Sequence, residues 1–168
     1  MEYRENIMED MKEYFRPDWK RIRHTLAVTD YADQLIKLYN KNDISPQVII
    51  YSALLHDIGI KRAEEKYNTS MGKYQELEGP PIARKILAKY PLKKETVEEI
   101  CTLIRHHHSP GEINTTNFKM LYDADWLVNL PAEYDLAQES PEKIKNIIMK
   151  LYFTEAAKTI ARRLFLPC

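Results

Sequence analysis

Apolar residues recur along this chain at spacings of three and four, with no sustained apolar/polar alternation, and this periodicity predicts helices from end to end. A first short helix is expected over about Glu2–Tyr14, and Pro17, at a favoured first-turn position, opens a long one that runs to about Tyr39. Asn40–Asp43 break the pattern. Ser45-Pro46 then joins an N-capping hydroxyl to a proline suited to the first helical position, and Gly59 lies where a C-terminal cap would end that helix. From Lys61 to Gly79 the period weakens, so a loop with one helical turn is expected there. Further helices are predicted over Pro80–Tyr90, Lys94–His107, Asn117–Leu130 and, after Ser140-Pro141, Glu142–Leu166. The expected fold is all-α, with no internal repeat.

Length and composition narrow the picture. A chain of 168 residues without a Ser/Gly-rich or Pro-rich linker suits one compact domain over 1–168. Lys+Arg and Asp+Glu both number 25, so no net field favours nucleic acid as the main partner or an acidic membrane. The N-terminal MEYRENIMEDMKEYF is charged throughout and lacks the apolar run of a signal peptide or membrane span, which makes a cytoplasmic location the expectation. Cys101 and Cys168 do not make a disulfide framework and are read as reduced thiols.

Candidate chemistry begins at Leu54-Leu55-His56-Asp57-Ile58-Gly59, the end of a strongly apolar helix. A carboxylate placed there needs a cation, a metal or several hydrogen bonds to offset its lost hydration. His24 heads the series His24, Val28, Tyr31, Leu35, Leu38, which puts its imidazole on the inward stripe of the long helix. Asp123 and Asp125 lie two apart in Met120–Asn129, about 200° from each other on a helix, so both cannot readily bind one ion. The apolar positions around them leave the two equally offset, and periodicity does not choose. Arg105-His106-His107-His108 follows the stripe Val97, Ile100, Cys101, Ile104, with His107 the most inward.

A lone His, a His-Asp pair within LLHDIG and an Asp in a DADWL stretch, in that order, resemble the HD-domain metallohydrolase superfamily over about Arg23–Leu130. The resemblance implies an all-helical fold in which His24, His56, Asp57 and Asp125 hold one divalent metal ion, the last ligand matching Asp125 rather than Asp123. Two imidazoles and two carboxylates suit Mn, Fe, Co, Ni, Zn or Mg and do not select among them. Some members carry a second metal on extra histidines in an I-x-x-H-H context, which Ile104, His107 and His108 match; His107 is the candidate here. Many members also have a His before a Gly in the preceding region, where this chain reads Glu76-Leu77-Glu78-Gly79, and Glu78 is the candidate substitute.

The implied activity is hydrolysis of a phosphate ester of a small nucleotide or related phosphorylated metabolite by metal-activated water. In this reading Asp57 also orients the water and Lys61 stabilises developing charge. Lys61, Arg62 and Arg105 are the candidate phosphate contacts, Arg105 a weaker one together with Arg23, and Tyr67, Tyr74, Tyr122 and Trp126 are aromatics able to stack on a base. The alternatives are a non-catalytic nucleotide-binding or regulatory module of the same fold, and a di-iron oxygenase.

Overall fold

The computed structural model describes residues 2–166. Its helices are α1 (Arg4–Phe15), α2 (Trp19–Leu38), α3 (Pro46–Leu55), α4 (Ile60–Tyr67), α5 (Gly72–Leu87), α6 (Lys94–His106), α7 (Thr116–Glu133), α8 (Pro141–Leu151) and α9 (Glu155–Phe165), with a 3-10 turn at Leu136–Gln138. There is no strand among the described residues, so the all-α expectation holds. Among the described residues no helix is long and apolar enough to cross a membrane.

Starts are set by side chains that satisfy the first free N–H groups. Asp18, Ser45, Thr115, Ser140 and Thr154 accept from Arg21, Val48, Phe118, Lys143 and Ala157 respectively. The helix opened by Ser45-Pro46 becomes the centre of the molecule. Every residue of α3 from Val48 to Leu55 is buried, and α1, α2, α6 and α7 pack around it. A helix apolar on all sides can only be accommodated in this way.

Three expectations change. Gly59 does not end a helix in a left-handed cap: its φ of −78° is ordinary, and it precedes α4. A Cβ there would stand 2.3 Å from the Gln75 carbonyl oxygen and 2.6 Å from the Gly79 nitrogen, so the glycine permits backbone-to-backbone contact with α5. Lys61–Gly79 is not a loop but most of α4 and the first half of α5, with Pro80 and Pro81 inside α5 rather than at its start. Finally, Glu142–Leu166 is two helices, parted at Tyr152–Thr154. Cys101 is a buried free thiol; the expectation for Cys168 lies outside the described residues.

Candidate metal centre

His24 sits on the second turn of α2, His56 and Asp57 in the tight bend joining α3 to α4, and Asp125 in the middle of α7. Short bonds from Ile58 N to the Leu55 carbonyl and from Ile60 N to the Asp57 carbonyl hold that bend. Because α2 and α7 both pack on α3, the three elements bring these four side chains together at one point. His24 Nε2 is 3.1 Å from Asp125 Oδ1 and 3.5 Å from Asp57 Oδ2; His56 Nε2 is 3.5 Å from each of the same oxygens. The two Nε2 atoms face one another at 3.3 Å.

The free atoms follow from the partners. His56 Nδ1 donates to the Ala53 carbonyl at 2.8 Å, which leaves Nε2 as the atom turned to the cluster. His107, the C-cap of α6, repeats the device with the Ile104 carbonyl at 2.7 Å. Its Nε2, 3.5 Å from Asp57 Oδ1, is buried and has no hydrogen-bond partner. A buried ring nitrogen with no donor in reach is what a cation would satisfy. His24, His56 and Asp57 offer ligand atoms within 4.8 Å of one another, and so do Asp57, His107 and His108; Asp57 belongs to both groups. The donor set therefore fits a divalent ion, with room for a second.

Electrostatics agree with that fit. Burial alone would push the His56 imidazolium down, but Asp57 and Asp125 outweigh it and raise it to about 9. Burial pushes both carboxylates up, yet His56 and His107 hold Asp57, and His24 and His56 hold Asp125, well below the ordinary range. Two carboxylates thus demand positive charge at a place where only a proton or a cation can supply it. Partial loss of water around its ring, then the neighbouring His107, pulls His108 down to about 4, although the residue as a whole keeps contact with solvent.

The two acids of α7 separate by direction. Asp125 accepts from Asn129 Nδ2 at 2.8 Å, which orients it within the cluster. Asp123 turns the other way: it accepts from the backbone N–H groups of Phe153 and Thr154 and from the Thr154 hydroxyl, at 2.7–2.8 Å. It ties the start of α9 to α7 and takes no part in the cluster.

The cluster floors a cleft of about 430 Å³ lined by Asp18, Lys20, Arg21 and His24 of α2 and its cap, Asp125, Asn129 and Glu133 of α7, and Asp57, Ile60, Ser70, Gln75 and His108. Lys61, Arg62 and Arg105 do not line it. The Lys61 ammonium reaches back across α4 to the Tyr14 carbonyl at 3.3 Å and lies over the Tyr14 ring. Arg62 is exposed beside Glu65, and Arg105 borders separate hollows with Arg84 and, alongside His106, with Glu112. Arg23 is exposed on another side of α2. The cleft cations are Lys20 and Arg21, four and three residues before His24. That i−4, i−3 relation to His24 was the available signal, and nearness in sequence to His56-Asp57 was a misleading one.

Glu78 also departs from expectation. It is held by Lys66 and the Tyr67 hydroxyl, each at 2.8 Å, and the third member of the His107 group is His108. Nor do the four aromatics reach the cleft: Tyr67 and Tyr74 stack on each other, and Tyr122 packs between Trp126 and Phe153.

The family model described as HD domain matches residues 21–152. No curated protein matches the chain. Among solved structures, the chain resembles the crystal structure of a predicted HD superfamily hydrolase from an uncultured Thermotogales bacterium. Identity is 23%, the alignment covers 96% of this chain and 84% of that one, and the TM-score is 0.67, a likeness of fold. The family match takes in every residue of the cluster, and the chain belongs to the HD domain family.

Proposed function

We propose that this protein is a metal-dependent phosphohydrolase acting on a phosphate ester of a small nucleotide or a related phosphorylated metabolite. One observation carries the reading: two imidazoles with their Nε2 atoms turned inward and two carboxylates meet on the floor of a cleft whose wall holds Lys20 and Arg21. The family and the printed description of the structural relative as a predicted hydrolase support it.

His24, His56, Asp57 and Asp125 would hold the ion, and His107 and His108 with Asp57 would hold a second. A bound divalent cation lowers the pKa of water to near neutrality and stabilises charge on phosphoryl oxygens. Around it the chain's own groups have distinct tasks. Asp57, set between the two histidine groups, accepts a hydrogen bond from the attacking water and orients it. Lys20 has no acidic partner among the described ion pairs and binds a phosphate oxygen at the cleft wall. Arg21 is held by Asp18 at 3.1 Å and Glu64 at 2.6 Å, which fixes where its guanidinium stands. Asn129 keeps Asp125 from turning away.

Metal analysis of the purified protein, joined to a phosphate-release screen over nucleoside mono-, cyclic, di- and triphosphates and sugar phosphates with each candidate divalent ion, tests the proposal. Stoichiometric metal with ion-dependent release from at least one substrate class is expected. Bound metal without release from any of them would favour the non-catalytic module, and oxygen consumption by an iron-loaded protein would favour the oxygenase.

A further inference from the structure

His108 is seated by three neighbouring residues of α5. A Cβ on Gly72 would stand 2.8 Å from His108 Cγ and 2.9 Å from Cδ2, so the ring rests directly on the glycine along its Cδ2 edge. Glu76 accepts from the His108 backbone N–H at 3.0 Å and from the Ser109 hydroxyl at 2.9 Å, which fixes the chain as it leaves α6. Between them lies the buried Gln75, whose amide nitrogen donates to the Ser70 carbonyl and whose Oε1 is 3.2 Å from His108 Nε2.

These contacts fix the protons. A backbone carbonyl only accepts, so the amide nitrogen of Gln75 must face Ser70 and its oxygen must face His108. An amide oxygen also only accepts, so His108 Nε2 carries the hydrogen and Nδ1 keeps the lone pair. Nδ1 lies on the far side of Cγ from Cδ2, and the atoms nearest a Cβ on Gly72 are His108 Cγ, Cδ2 and Cβ.

We propose that Gln75 is a positioning residue which, with Gly72 and Glu76, holds His108 in the Nε2–H tautomer and makes Nδ1 its donor to a cation shared with Asp57 and His107. The ligand half of this statement rests on the metal-centre reading above. A ring fixed in one tautomer and one orientation need not be ordered when the ion arrives, and loss of such an outer partner typically costs 10–100-fold in metal affinity.

Nitrogen-15 NMR of the imidazoles in metal-free protein, with His108→Ala to assign the ring, reads the tautomer directly. Wild type is expected to show a protonated Nε2 and a bare Nδ1, Gln75→Leu a mixture of tautomers, and Gln75→Glu, which keeps an acceptor facing the ring, the wild-type pattern. Manganese titration followed by electron paramagnetic resonance should show the second ion binding about 10–100-fold more weakly to Gln75→Leu with the first unchanged. Protonation of His108 at Nδ1 in wild type, or a Leu variant unaltered in both tautomer and second-ion affinity, would overturn the assignment. Wild type that takes up a single ion defeats the ligand half. Wild type that takes up none defeats the metal-centre reading itself, an outcome kept separate because the tautomer is read without metal.

Discussion

Asp123 and Asp125 flank Ala124 on one helix and are both buried, yet they belong to different regions of the molecule. Asp123 faces the start of α9 and is met by two backbone N–H groups and a hydroxyl. Asp125 faces the cleft, where, apart from the Asn129 amide, it meets the imidazoles of His24 and His56. The first is satisfied by the fold alone. The second is satisfied only while a proton or a cation sits among its neighbours. What distinguishes the two acids is the nature of the partner, since burial is shared.

The largest expected effect falls on the cleft side. Asp125→Ala or Asp57→Ala should abolish stoichiometric metal binding while far-ultraviolet circular dichroism retains most of the helical signal. Unchanged metal content in both variants would mean that the cluster is not the centre.

On the other side of α7, Asp123→Ala should leave metal content intact and lower stability by about 4 kcal/mol in urea unfolding, because three buried donors lose their acceptor. A variant that loses its metal and keeps its stability would exchange the roles of the two acids.

A smaller effect distinguishes them by pH. Burial, only partly offset by Thr154 and Phe153, pushes the Asp123 carboxyl up to about 6 from an ordinary 3.8. Folding therefore favours its protonated form, and the stability this contributes is fully present below about pH 4 and is lost as pH rises through 6. The stability difference between wild type and Asp123→Asn should shift in favour of wild type by about 2–3 kcal/mol as pH falls from 7 to 4. Asp57 and Asp125, held low, act in the opposite sense and only below about pH 4, so a difference that is flat between 4 and 7 would show that Asp123 is ionised throughout.

The starts of α3 and α8 were legible because Ser45-Pro46 and Ser140-Pro141 carry their capping chemistry locally. The beginning of α5 was not. Its buried face is made in part from Gln75, Glu76, Gly79 and Pro80, which a search for apolar period passes over. The break between α8 and α9 has no glycine or proline within Tyr152–Thr154; it is imposed from outside, by Asp123 capturing the N–H groups of Phe153 and Thr154.

The site divides in the same way. His24 announced itself by standing on an apolar stripe, and His56-Asp57 by ending an apolar helix. The cleft cations did not, because Lys61 adjoins the pair in sequence but turns to Tyr14, while Lys20 and Arg21 reach the cleft through the helical turn they share with His24. Gln75 carries no charge and no motif, and its contact with His108 exists only once α5 is laid against α6.

Gly59 follows Asp57 by two residues and touches α5 at Gln75 and Gly79, the helix that also carries the seat of His108. The two walls of the cleft are therefore gauged against each other through a contact made by the absence of a methyl group. The tolerance of the cluster is set outside it: a single carbon added at position 59 would wedge α5 away, and the damage would look like the loss of a cluster residue although every such residue was still present.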